Sequence, residues 1–293
     1  MLHAEAPTPV EAQINLPDGR VLSYAEYGNP AGRPVFYFHG TPGSRLERPP
    51  AAPGSALGPV RLIVPDRPGY GRSTFQRGRR LLHWPTDIEH LADALSIARF
   101  SVVGVSGGGP HAAACAYALP HRLTGVALVS SLAPTNRPGG LEGLGTWVQA
   151  AFRIGRYLPW ILHPLMARLA DPREGAAAFE AGQWGNLCAG DQQILGRPEV
   201  GRMMSQSFRE SARQGVRAYA QDVTVFARPW GFDLGAIVPM VHLWHGASDT
   251  ILPSHMGYYL AANIPRTRFT EVRDGGHFMV IDILEQVFAA IAA

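Results

Sequence analysis

Phe100-Ser101-Val102-Val103-Gly104-Val105-Ser106-Gly107-Gly108-Gly109-Pro110 is the stretch that decides the fold of this chain. A short apolar run stops at Gly104, one serine follows Val105, three glycines come next, and Pro110 opens an alanine-rich segment of helical character. Gly104-Val105-Ser106-Gly107-Gly108 has the form G-x-S-x-G in the setting strand, sharp turn, helix. A nucleophile at the tip of such a turn sits on strained backbone. Its neighbours must lack side chains so that strand and helix can close around it. The helix beyond Ser106 would aim free N–H groups and its positive dipole end at whatever the hydroxyl attacks. Pro110 suits a first helical turn, where a missing N–H costs little. The competing reading is a glycine-rich turn holding an ordinary serine, and the rest of the chain weighs against it.

Outward from this turn, strands and helices alternate, the pattern of an α/β sheet. Gln13–Leu16 and Val21–Tyr27 flank Pro17-Asp18-Gly19 and read as an antiparallel hairpin. Val35–Phe38 reads as a buried strand ending in His39-Gly40-Thr41-Pro42-Gly43, and Val60–Val64 as another ending in Asp66-Arg67-Pro68-Gly69-Tyr70-Gly71-Arg72-Ser73. The spacing of Ile88, Leu91, Leu95 and Ile97 predicts a helix over Pro85–Ala98. Pro110–Ala118 follows as a helix and Gly125–Val129 as a strand. From about Ala133 to Gly235 no strand is legible. Helix-like apolar stretches there carry Trp147, Phe152, Tyr157, Trp160, Leu165, Phe179, Trp184 and Met203-Met204. The alternation resumes with strand Pro239–Trp244, helix Ser254–Asn263, strand Thr267–Val272 and a last helix to Ala293. The expected organisation is therefore a core of residues 1–132 and 236–293, with 133–235 as a helical cap over the carboxyl edge of a mostly parallel sheet. Active sites of open α/β sheets lie at that edge.

A serine hydroxyl needs a base to take its proton and a third group to orient the base. Asp249, in His245-Gly246-Ala247-Ser248-Asp249-Thr250, follows one predicted strand, and His277, in Asp274-Gly275-Gly276-His277, follows the next. The assignment is Ser106 as nucleophile, His277 as general base and then acid, and Asp249 as the carboxylate that fixes the imidazole. The blander readings make Asp249 a turn or capping residue and His277 a cap or packing residue of the last helix. Among rival bases, His39 reads as orienting its own loop, His111 as pointing away along the helix, and His245 as bracing the Asp249 loop. The oxyanion donors expected are the backbone N–H groups of Gly107 and Thr41, with the Thr41 hydroxyl as a further contact. Asp66 reads as structural, paired with Arg72, and Tyr70 as a residue facing the pocket.

Composition sets the outer limits. The chain has 293 residues, 46% of them hydrophobic, enough for a full-sized core. Its first ten or so residues read as disordered. All 26 basic residues are arginine, which excludes lysine Schiff-base and phosphate-loop lysine chemistry. Arg77, Arg79 and Arg80 read as a solvated loop, and no basic-aromatic interleaving points to nucleic acid. Cys115 and Cys188 have neither ligand spacing nor a CxxC pattern, so no metal and no disulfide is expected. No run approaches the length of a membrane span, and no signal-peptide pattern opens the chain, so a cytoplasmic protein is expected.

Taken in order, His39–Gly43, Asp66–Ser73, Gly104–Gly108, Asp249 and Gly276-His277 resemble the α/β-hydrolase superfamily, whose order of nucleophile, acid and histidine is the one seen here. The resemblance implies an α/β-hydrolase fold and a serine hydrolase without cofactor. It leaves the bond open among esters, lactones, carbon–carbon bonds and aminoacyl amides. Epoxide hydrolases and haloalkane dehalogenases of this fold carry an aspartate where Ser106 stands. The His-Gly-Gly-Gly loop of lipase-like members does not match His39–Pro42. Proline iminopeptidases come closer through His-Gly-x-Pro-Gly but need acids to hold the substrate amine, for which Glu174, Glu180 and Asp191 are the candidates. The leading expectation is a carboxylesterase acting on a small-molecule ester with an apolar acyl or alcohol part, as a monomer or homodimer. A non-catalytic ligand receptor on the same fold is the alternative from another class.

Overall fold

The computed structural model describes residues 10–48, 59–182, 185 and 187–292. The N-terminal stretch expected to be disordered, Trp184, and Ala293 at the end of the predicted last helix lie outside these.

Strands β1 (Val10–Asn15) and β2 (Val21–Gly28) form the expected hairpin, followed by β3 (Arg33–Phe38) and β4 (Val60–Pro65). Helix α1 (His83–Ala94) leads to β5 (Phe100–Val105), α2 (Gly109–Ala118) and β6 (Leu123–Val129). Six helices come next: α3 (Thr146–Tyr157), α4 (Pro159–Leu169), α5 (Pro172–Glu180), α6 (Ala189–Leu195), α7 (Pro198–Ser211) and α8 (Arg217–Ala227). The chain then returns through β7 (Val241–Gly246), α9 (His255–Asn263), β8 (Thr267–Val272) and α10 (Val280–Ala290).

The eight strands form one sheet in the order β1-β2-β4-β3-β5-β6-β7-β8, with β2 antiparallel to both its neighbours and every other pairing from β4 onward parallel. This is the α/β-hydrolase fold. The strand order reverses between β3 and β5, the crevice where open α/β sheets place their ligands. Phe38 pairs with Gly104 across that reversal, so the loop after β3 and the turn after β5 leave the sheet side by side.

Strand alternation sorts the core onto two faces. In β3, Phe36 and Phe38 face Ile88, Leu91, Ala112, Met256 and Leu260 of α1, α2 and α9. Val35 and Tyr37 face the other way, toward Val280, Ile283, Leu284, Val287 and Phe288 of α10. Those five recur at the spacing of a single helical face. Helix α1 ends earlier than its periodicity predicts, because Ser96 takes φ 56°, a left-handed conformation that a helix cannot continue through.

Candidate active site

Ser106 follows β5 directly, at φ 54°, on the turn between strand and helix. The glycines around it serve close approach: a Cβ on Gly104 would lie 2.5 Å from Gly108 O and 2.7 Å from Ala112 Cβ. Asp249 lies on the loop after β7 and His277 on the loop after β8. The fold brings all three together. His277 Nε2 is 3.0 Å from Ser106 Oγ, and His277 Nδ1 is 2.8 Å from Asp249 Oδ2. With Asp249 ionised, Nδ1–H donates to the carboxylate, which leaves Nε2 free to accept the serine proton. The other carboxylate oxygen, Oδ1, accepts the N–H groups of Ile251 at 2.9 Å and Leu252 at 2.8 Å, so Asp249 is itself fixed.

Burial works to lower the His277 imidazole, but the Asp249 charge and hydrogen bond, with Asp191 and Glu47 farther off, carry its pKa above the ordinary histidine value. Burial would raise Asp249; the His277 contacts and the Leu252 N–H more than offset it and leave the carboxyl below its usual range.

The rival histidines are all committed elsewhere. His39 Nδ1 bonds Gly40 O at 2.8 Å, and its Nε2 accepts the Arg67 N–H at 3.3 Å. His111 Nδ1 bonds Gly107 O at 3.0 Å, its ring edge-on to Trp84 and Phe226, and burial drives its pKa down to about 3. His245 Nε2 donates to Leu252 O at 2.8 Å, within the Asp249 loop.

Thr41 and Gly107, the two candidate oxyanion donors, abut: a Cβ on Gly107 would lie 2.7 Å from Thr41 Cβ. The Thr41 hydroxyl, expected to help at the oxyanion, is engaged otherwise. It accepts from Arg67 Nη2 at 2.6 Å and donates to Asp222 Oδ2 at 3.1 Å. Arg67 is the clamp of this loop. Its guanidinium also donates to His39 O and, at 2.7 Å, to Gly40 O. Asp222, on α8, receives Arg67, Arg79 and the Tyr70 hydroxyl.

Several sequence expectations give way here. Arg79 is buried rather than solvated, because it balances Asp222. Tyr70 is buried on the same carboxylate and does not line the pocket. The side-chain partner of Asp66 is Arg45, with Nη1 at 2.8 Å, while Arg72 offers only its backbone N–H at 3.1 Å. Arg67, Asp222 and Arg45 were missed. Arg67 stood inside a quoted motif, but nothing in the local sequence marks its partner on α8.

Ser106, His277 and Thr41 open onto a cavity of about 350 Å³, whose far wall is apolar: Leu187, Met203, Met204 and Phe208 from the helical block, and Phe278 and Ile281. Trp160 and Trp147 of the helical block turn outward, 70% and 40% exposed. The three acids considered for an amine are not in the cavity. Asp191 accepts the N–H groups of His277 and Phe278, each at 2.8 Å. Glu180 pairs with Arg209 at the surface, and Glu174 is exposed on α5. Among the described residues the acid that does line the cavity is Glu47, which sequence reasoning passed over.

Among the described residues no helix is long and apolar enough to cross a membrane. The chain is 27% identical, over 97% of its length and 68% of the relative's, to the dihydrolipoyllysine-residue acetyltransferase component of the acetoin cleaving system of Pseudomonas putida. It is 29% identical to a probable proline iminopeptidase of Streptomyces coelicolor over 83% of this chain and 72% of that one. An esterase from Exiguobacterium antarcticum superposes with a TM-score of 0.72 at 18% identity, over 97% of this chain and all of the other, a likeness of fold. The sequence profile of the alpha/beta hydrolase family matches residues 35–290, and together with the sheet order and the strand-end loops this places the chain in that family.

Proposed function

We propose that this hydrolase is a serine carboxylesterase that cleaves small esters through an acyl-enzyme on Ser106. The observation that carries the reading is the continuous path from Asp249 through His277 to Ser106, at 2.8 and 3.0 Å. His277 takes the hydroxyl proton as Ser106 Oγ attacks the carbonyl carbon. The oxyanion forms against the N–H groups of Thr41 and Gly107, which are fixed before the reaction begins. The imidazolium returns its proton to the leaving alcohol. Water activated by the same imidazole then attacks the acyl carbon, and Ser106 leaves with the proton. Residues 133–235 act in this reading as a cap, whose α5 and α7 supply much of the apolar wall and favour an apolar acyl or alcohol part.

The test is hydrolysis of short p-nitrophenyl esters by the purified protein and by Ser106→Ala, with fluorophosphonate labelling of both. Turnover and labelling of the wild type, both abolished in the variant, are expected. Labelling that survives in Ser106→Ala, or equal turnover by the two proteins, would overturn the assignment.

A further inference from the structure

Glu47 is a buried carboxylate in an active-site cavity whose other walls are mostly apolar, and among the described residues it has no ion-pair partner within 4.0 Å. It is the one acid among the described residues lining that cavity. Among the described residues its donors are few. The Gly40 N–H reaches its two oxygens at 2.9 and 3.1 Å, and the Tyr37 hydroxyl approaches Oε1 at 3.4 Å. A carboxylate can accept at about four lone-pair sites, so these two donors leave capacity. Of the nearby cations, Arg67 lies behind Gly40, bonded to Gly40 O and Asp222, and Arg48, which also lines the cavity, lies over the Tyr27 ring and makes no ion pair with Glu47. His277 is engaged with Asp249 and Ser106.

The position of Glu47 relative to the nucleophile is equally specific. A Cβ placed on Gly40 would sit 3.5 Å from Glu47 Oε2 and 3.7 Å from Ser106 Cβ, so carboxylate and nucleophile flank the same glycine. A buried acid without a counter-ion is costly unless it takes a proton or meets a donor. Consistent with that, loss of hydration pushes its pKa up to about 7, against the pull of the Gly40 N–H and Arg67.

We infer that Glu47 accepts an ammonium or N–H group carried by the acyl part of the substrate, close to the carbonyl that Ser106 attacks, so that aminoacyl esters are the preferred substrate class. This rests on the hydrolytic reading of Ser106 and narrows it. The apolar wall holds the side chain of the acyl part, the oxyanion donors hold the carbonyl oxygen, and Glu47 holds the amine. The contact is made whether the proton resides on nitrogen or on the carboxyl, since both arrangements contain one N–H···O or O–H···N bond.

The test compares phenylalanine ethyl ester with ethyl 3-phenylpropanoate, which differ only in the amine. Binding is measured by calorimetry to Ser106→Ala, and to Ser106→Ala carrying Glu47→Gln, near neutral pH. Turnover of both esters is followed with the Ser106-containing proteins. The expected result is affinity for the aminoacyl ester at least about tenfold higher in the Ser106→Ala background, with that ratio falling toward one when Glu47 is replaced. Equal affinity for the two esters, or a ratio untouched by Glu47→Gln, would overturn the inference. The comparison within Ser106→Ala alone decides if the double variant fails to fold. A binding preference without turnover would sink the esterase reading, and the substrate class with it, while upholding the amine contact at Glu47. Turnover of both esters without a preference would do the reverse.

Discussion

Asp222 of α8 and Arg67 of the β4 loop, 155 residues apart in sequence, meet as a fully buried ion pair with Nη2 3.0 Å from Oδ2. The pair joins the helical block to the loop that carries Thr41. Arg79 and Tyr70 complete the ring around the carboxylate, and the two guanidinium groups hold its pKa below the ordinary range despite burial. Removing the charge while keeping the shape leaves two buried arginines without their counter-ion. Asp222→Asn is therefore expected to cost about 3–5 kcal/mol of stability. It should also lower kcat, because Arg67 and the Thr41 hydroxyl lose a shared anchor. Denaturant unfolding and ester turnover on the same samples check this. A variant as stable as the wild type would show that the carboxylate is not carrying this charge balance.

The acid limb of the pH–rate profile should follow His277. In the proposed mechanism the imidazole must be neutral to accept the Ser106 proton, and its pKa lies above the ordinary histidine value, so kcat/KM is expected to rise with pH through a midpoint above about 6.5. Asp249→Asn removes the charge that favours the imidazolium, so the limb should move to lower pH. The rate should fall by about four orders of magnitude as the imidazole tautomer is lost. A limb that stays in place in the variant would point to another base.

How far the sequence reached depends on whether a feature was local. The turn at Ser106 was legible because its constraint is contained in five consecutive residues: strand, glycine, serine, glycine and helix cannot be rearranged without losing the close approach at Gly104 and Gly108. The strand ends holding Asp249 and His277 were legible because each follows an apolar run of strand length. Asp222, Asp191 and Glu47 were not. Asp191 and Asp222 sit on helices whose sequence resembles any amphipathic surface, and their partners lie 86 and 155 residues away. Glu47 sits seven residues beyond Gly40 in a loop without periodicity, and only the fold turns it back beneath that glycine. Which residues of the helical block face the cavity was not legible either: Trp147 and Trp160 turn outward, whereas Leu187, Met203, Met204 and Phe208 line it.

Gly104 offers a test of the turn itself. A methyl group there meets the backbone carbonyl of Gly108 and the side chain of Ala112, neither able to yield without moving α2 away from β5. Gly104→Ala is expected to cost about 1–3 kcal/mol and to displace Ser106 from its hydrogen bond with His277. Activity should drop more steeply than stability. Thermal unfolding together with fluorophosphonate labelling rates measures both, and an unchanged labelling rate would contradict the close-packing account.

Asp191 links the helical block to the His277 loop. Its two carboxylate oxygens each take one N–H, from His277 and from Phe278, and a Cβ on Gly276 would run into that carboxylate. In Asp191→Asn an NH2 group replaces one acceptor and faces an N–H, so one of the two bonds is lost and the His277 loop shifts. A displacement near 1 Å at a reacting group costs up to about a hundredfold, and a fall of that order in kcat with little change in KM is expected. Steady-state kinetics on a panel of p-nitrophenyl esters settles it; a change confined to KM would mean that Asp191 shapes the cavity rather than the base.

Glu47 should leave a signature in the pH dependence of stability. Burial raises its pKa from 4.5 to about 7, with the Gly40 N–H and Arg67 acting in the opposite direction. The folded chain therefore holds this proton more tightly than the unfolded chain does. The stabilising contribution is complete below the ordinary carboxyl range and is lost as pH rises through the folded value. Glutamine cannot ionise, so Glu47→Gln should gain on the wild type across that window, by up to about 3 kcal/mol once Glu47 is fully charged. The other titrating groups are common to both proteins, and the difference between their unfolding free energies isolates this one. Chemical denaturation of the two proteins at a series of pH values gives that difference directly. Curves that run parallel from acid to neutral pH would mean that Glu47 ionises alike in the folded and unfolded chains.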